Sequence, residues 1–165
     1  MNLLKDAWIP VKKDGEPVHI SMEELLCSDS CFMLSHRRDD MELAALQLLI
    51  SIAQCVFTPQ SKGDWMRALK SPMPKETYSE FAEKYVEWFS LDDIKYPFMQ
   101  DRDAKDEVLT GIQKLFPGMA EGDGSATLFV DDDAITKACP SCTALALFNQ
   151  ATCAPSFGGG TKGPL

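Results

Sequence analysis

The chain has 165 residues, and 25 Asp and Glu against 16 Lys and Arg leave a formal net charge of −9. Its length suits one domain, residues 1–165, with a real core, and 45% hydrophobic with 25% charged residues exclude wholesale disorder. The acidic balance excludes a nucleic-acid binder that works by bulk charge, because sequence-independent affinity comes from Lys and Arg on phosphates. Neither end is a basic module: the first 120 residues hold 20 acids and 14 bases, the last 45 five acids and two bases.

No apolar run exceeds the five residues Ala144 to Phe148, far short of the roughly 20 that cross a bilayer, so no membrane partner is expected. Met1 to Asp6 lacks the apolar stretch of a secretion signal, which makes a cytoplasmic location the simple reading. Six cysteines in that setting read as thiols or metal ligands rather than a disulfide framework.

In chain order, Trp8 to Val11 and Val18 to Ile20 flank Asp14-Gly15, the turn chemistry of a β-hairpin. Ser21-Met22-Glu23-Glu24 has capping-box spacing and should start a short helix. The strongest element runs from Asp39 to about Val56, with Asp39 as the expected N-cap, Glu42 three residues on, and apolar residues nearly all round. It reads as a central, mostly buried helix. A short helix is expected over Asp64 to Lys70. Tyr78, Phe81, Ala82, Tyr85, Val86 and Phe89 keep helical spacing over about Lys75 to Phe89. Tyr96 to Met99 reads as an extended apolar plug. Leu109 to Phe116 suggests a helix stopped by Pro117-Gly118, and Leu128 to Val130 a strand before the acidic turn Asp131-Asp132-Asp133. The fold class is therefore α+β: an N-terminal hairpin, several helices around a buried central one (about 39–56), and an irregular C-terminal part containing Gly and Cys.

Cys139-x-x-Cys142 puts two thiols close together, half of a tetrahedral zinc site. Cys27, Cys31, Cys55 and Cys153 form no second such pair, so the bland alternative is a pair of ordinary thiols. Phe157-Gly158-Gly159-Gly160-Thr161-Lys162 invites comparison with a phosphate loop, but its spacing does not match that motif. A glycine-rich tail, or a loop that lays backbone into a groove of nucleic acid, remains open. His19 and His36 lack a Ser or Cys partner at a motif spacing, and a Cys–His dyad would have to form across the fold. His36-Arg37-Arg38 is the one concentrated basic spot and reads as a solvated helix entry with an Arg–Asp pair.

Several segments together resemble the CasA family, the large subunits of the type I-E CRISPR surveillance complex Cascade. They are Asn2-Leu3-Leu4, Trp8 to Val11, Arg38 to Leu46, Pro97 to Gln100, Cys139-x-x-Cys142-Thr143-Ala144, Ala146 to Ala151, Ala154-Pro155 and Phe157 to Gly160, in family order. The resemblance implies a noncatalytic antiviral-defence subunit. It would dock on the other Cascade subunits near the guide RNA 5′ handle and check the short DNA motif (the PAM) beside the double-stranded target. Phe157, Gly158, Gly159, Gly160 and Lys162 resemble the DNA-reading loop, which would use the minor groove, where A·T and T·A look alike. Phe129, Val130 and Asp131 resemble the guide-RNA and subunit anchor. Cys139 and Cys142 resemble the first half of a zinc site, the one cofactor in view.

Departures from the family are specific. Its members are considerably longer, with a C-terminal helical bundle and a second cysteine pair, and this chain has Asp131-Asp132-Asp133 and Ser156 where neutral residues and glycine are usual. Two readings follow: an N-terminal recognition module, or, if Leu165 is a natural stop, a truncated mimic that displaces the true large subunit and acts as an anti-CRISPR decoy.

Overall fold

The computed structural model describes residues 1–101, 111–116 and 135–152. The strand expected at Leu128 to Val130, the Pro117-Gly118 stop, Cys153 and the glycine segment lie outside them. The architecture is α+β, as expected. Strands β1 (Ile9–Lys13) and β2 (Glu16–Ile20) form an antiparallel hairpin in which Ile9 pairs with Ile20 and Lys13 with Glu16. The two-residue loop Asp14-Gly15 has φ of 53° and 87°. Two consecutive positive φ values match the right-handed strand twist, and Asp-Gly tolerates them. A two-residue strand, β3 (Met33–Leu34), adds to the other edge of β1, giving the order β2-β1-β3.

Helix α1 (Met22–Cys27) starts at Ser21, whose hydroxyl accepts from the Glu24 N–H at 3.1 Å. Helix α2 spans Asp39–Val56, with the expected bounds but a different start. Arg38, not Asp39, is the N-cap and makes no side-chain cap bond. Glu42 instead reaches back over the entry and accepts from the His36 N–H at 2.9 Å. The acids Asp39, Asp40 and Glu42 in the first turn still suit the helix dipole.

Helices α3 (Lys62–Ala68) and α4 (Lys75–Glu83) follow. The long helix expected to reach Phe89 stops at Glu83, and Val86–Phe89 winds as a separate 3₁₀ turn. No Gly or Pro breaks it. The N-terminal segment captures the chain instead: Asn2 Nδ2 donates to the Val86 carbonyl, and the Leu3 N–H to the Phe89 carbonyl at 2.8 Å. Tyr96 to Met99 is not extended either. Met99 has φ 51°, the Gln100 N–H donates back to the Pro97 carbonyl, and Phe98 is buried against Phe89 with ring centroids 6.0 Å apart. Ile112–Leu115 is one 3₁₀ turn. The Cys-containing stretch, expected to be irregular, opens a regular helix, α5 (Pro140–Thr152).

The core gathers where the hairpin, α2 and α5 meet, around Leu3, Trp8, Ile9, Met41, Ile52 and Leu145. Two polar groups inside it are paired: Trp8 Nε1–H donates to the Leu3 carbonyl at 2.7 Å, and the Ser141 hydroxyl to the Trp8 carbonyl at 2.5 Å, whereas Gln113 Oε1 and Gln150 Oε1 are buried without a partner among the described residues. Tyr78 from α4 donates its hydroxyl to the Leu4 carbonyl at 2.6 Å and stacks on Phe57. Burial pushes that phenol well above its ordinary pKa.

Helix α2 is not buried all round. Met41, Ala44, Ala45, Leu48, Leu49, Ile52 and Val56 face the core, but Leu43, Leu46 and Ile50 are about half exposed. This stripe forms one wall of an apolar groove of about 770 Å³, with Leu25 and Leu26 of α1 and Phe32 and Met33 across from it. Among the described residues no helix is long and apolar enough to cross a membrane.

Candidate functional site

The sequence-predicted residues that the structure brings together are Cys139, Cys142 and His36. Cys139 directly precedes α5, and its main-chain carbonyl accepts from both the N–H and the hydroxyl of Thr143. The Cys142 N–H donates to Cys139 Sγ at 3.3 Å. The first turn of α5 thus sets the two thiols side by side, a helical turn rather than a loop.

His36 reaches this turn from the entry of α2. Its Nε2 lies 3.9 Å from Cys142 Sγ, although 106 residues separate the two. Its Nδ1 accepts from the Arg38 N–H at 3.1 Å. A neutral imidazole that accepts at Nδ1 carries its proton on Nε2, so the ring donates toward the sulfur instead of taking a proton from it. The thiol itself is pushed up to about 11, first by burial and then by its hydrogen bond with Cys139. An activated cysteine needs the opposite, a depressed value and a base with a free lone pair. The Cys–His pair that sequence spacing could not reveal therefore exists as a contact, beside a thiol held above its ordinary pKa.

For zinc, the described residues supply two adjacent thiols and no group of three or more candidate ligands. Two thiols at one helix start fit half of a tetrahedral set, and His36, donating through Nε2, is in the wrong tautomer to be a third as it stands.

The guide-RNA anchor residues Phe129, Val130 and Asp131 and the loop residues Phe157, Gly158, Gly159, Gly160 and Lys162 lie outside the described residues. Helix α5 ends at Thr152, in the same chain segment as that loop. Its seat on α2 is polar as well as apolar: buried Asn149 donates to Asp40 at 3.2 Å, and Asp40 also accepts two bonds from Arg38 at 3.0 and 2.8 Å. The Arg38 guanidinium holds the Asp40 carboxyl below the ordinary carboxylate value, against the effect of partial burial.

Residues 2–164 match the sequence profile of the CRISPR-associated protein Cse1 family. The chain belongs to the Cse1 family. A CasA/Cse1 protein of Thermus thermophilus is 29% identical over 133 residues, 78% of this chain and 26% of that protein. The fold is also that of solved Cse1 structures. Thermobifida fusca Cse1 superposes with a TM-score of 0.74 at 19% identity, covering 99% of this chain and 34% of that one. Thermus thermophilus CasA gives 0.68 at 24% identity, with 92% and 31% covered. A chain of a CRISPR RNA-guided surveillance complex gives 0.75 at 15% identity, with 94% and 34% covered. The chain therefore spans about a quarter to a third of the length of these relatives.

Proposed function

We propose that this chain acts as a noncatalytic Cascade module in the cytoplasm, docking on the other subunits near the guide RNA 5′ handle. The observation that carries the reading is the family match over residues 2–164. In this reading Phe129, Val130 and Asp131 anchor the chain to guide RNA and neighbouring subunit. Phe157, Gly158, Gly159 and Gly160, with Lys162, read the DNA motif beside the target through backbone donors in the minor groove. Sequence beyond the motif is left to pairing with the guide. Cys139 and Cys142 would contribute two thiolates to a zinc site completed by residues elsewhere. The hydrogen-bond state of His36 and the raised Cys142 thiol both weigh against catalysis at this pair.

A second reading has one observation in its favour. The net charge of −9 and the run Asp131-Asp132-Asp133 suit a protein that occupies the docking site without engaging DNA phosphates. It would then be a decoy that displaces the true large subunit.

The test adds the purified chain to Cascade lacking its large subunit and to intact Cascade, and measures co-migration and target-DNA binding. The module reading expects co-migration with gain of target binding, and weaker association for Phe129→Ala. Co-migration with loss of target binding by intact Cascade supports the decoy. No association with either complex at saturating concentration would sink both.

A further inference from the structure

Short helices in folded proteins are held by an apolar face packed on a neighbour, since a segment below roughly 12–15 residues is marginal by itself. Helix α3 departs from this. It has seven residues, Lys62–Ala68, and none is buried. Its local supports are the Ser61 hydroxyl capping the Asp64 N–H at 3.1 Å and the Asp64–Arg67 ion pair. Its large side chains point to solvent: Trp65 is 55% exposed, and Met66 and Leu69 are also open.

Two further features make this surface unusual within the chain. Residues 60–71 hold Lys62, Arg67 and Lys70 against the single acid Asp64, a local charge of +2 in a protein of −9. Among the described residues no carboxylate pairs with Lys62 or Lys70. Nor has Trp65 an aromatic partner there. Helical spacing puts Lys62 and Met66 in one line with Trp65 beside it, and Leu69 and Lys70 follow in the closing turn, where the Lys70 N–H donates to the Arg67 carbonyl at 2.9 Å. Exposed lysines thus flank the open indole in the chain, Lys62 at the helix start and Lys70 just past its end.

We infer that α3, with Leu69 and Lys70, is a contact surface for single-stranded RNA: Trp65 stacks on an unpaired base while Lys62 and Lys70 take phosphates on either side. Charge complementarity selects this occupant, because lysine is depleted at protein–protein interface cores, whereas a phosphate chain with bases free to stack calls for an aromatic platform between cations. Duplex RNA offers no base face to the indole. The inference deepens the docking reading, on which it rests only for the source of the RNA.

The experiment uses the full chain and a fluorescein-labelled 12-nucleotide RNA of mixed sequence, followed by anisotropy at low salt and by tryptophan quenching. Base–aromatic stacking contributes about 1–3 kcal/mol per base, so Trp65→Ala should weaken binding at least fivefold while Trp65→Phe retains most of it. Lys62→Gln with Lys70→Gln should flatten the plot of log K against log salt by about 1.4, at roughly 0.7 per phosphate contact on a single strand. All three changes are at unburied positions, so unchanged circular dichroism and urea midpoints confirm that folding is intact. Absence of RNA binding, or equal affinity in wild type and Trp65→Ala, overturns the inference. RNA binding through α3 by a chain that fails to join Cascade leaves this inference standing and removes the docking reading; the reverse pattern does the opposite.

Discussion

Asn149 on α5 donates to Asp40 on α2 across 109 residues of sequence, at 3.2 Å. One carboxylate thereby serves two elements, since Asp40 also takes both Arg38 bonds. The clasp fixes how α5 lies on α2, and so where the cysteine pair at one end of α5 sits relative to His36.

Removing this donor leaves the partly exposed Asp40 carboxylate with one partner fewer and empties a buried position on α5. Asn149 is only 3% exposed, so Asn149→Ala should cost about 1–3 kcal/mol, read as a lower urea midpoint with unchanged slope. Asn149→Asp should cost more at pH 7 than at pH 4, because a second carboxylate would face Asp40. Equal midpoints for wild type and Asn149→Ala would show that the bond contributes nothing.

The depressed Asp40 carboxyl gives a pH signature. Its contribution to stability is present above the ordinary carboxylate pKa, about 4, and is lost as pH falls through the lowered native value. Arg38 is the largest cause of the depression. The stability gap between wild type and Arg38→Ala should thus be open at pH 7 and close toward pH 3. The pair is partly exposed, which keeps the gap below about 1 kcal/mol. A gap of constant size from pH 7 to pH 3 would assign it to packing of the arginine stem instead.

How much of this was legible in the sequence depends on the range of the forces involved. The hairpin and the bounds of α2 are written locally, in Asp14-Gly15 and in the apolar spacing of 39–56, and both appear as expected. Strand β3 is two residues long and owes its existence to the edge of β1, so no periodicity announces it. The break after Glu83 comes from bonds donated by Asn2 and Leu3, more than 80 residues away in sequence. The His36–Cys142 contact is equally nonlocal: both residues are visible in the sequence, but only folding puts them together. The family resemblance was readable from ordered short motifs, whereas the roles of Phe129 to Asp131 and Phe157 to Lys162 rest on that resemblance alone.

Thiol reactivity separates a structural pair from a dyad. Cys31 and Cys55 are exposed, whereas the Cys142 thiol is pushed up to about 11 by burial and by Cys139. At pH 8 iodoacetamide should therefore label Cys31 and Cys55 well before Cys142, as followed by peptide mass spectrometry, because the thiolate is the reacting form. His36→Ala should not slow labelling of Cys142. Labelling of Cys142 first, at a rate that falls with His36→Ala, would mean that the imidazole activates the thiol after all.

The groove beside α2 sets the final prediction. Fully burying a leucine-sized side chain contributes about 1.5–3 kcal/mol, and Leu43, Leu46 and Ile50 realise only part of that, each being about half exposed. Leu48 and Ile52, on the opposite face, are 2% exposed and realise nearly all of it. Ile52→Ala should accordingly cost about 2–5 kcal/mol. Changing Leu46 to Gln should stay within about 0.5 kcal/mol, as expected for a surface site. The same Leu46→Gln change should weaken binding of a fluorescent apolar dye, since Leu46 lines the 770 Å³ groove. A cost for Leu46→Gln close to that of Ile52→Ala would instead mean that both faces of α2 are packed in solution, with the groove filled by another part of the chain or by a second molecule.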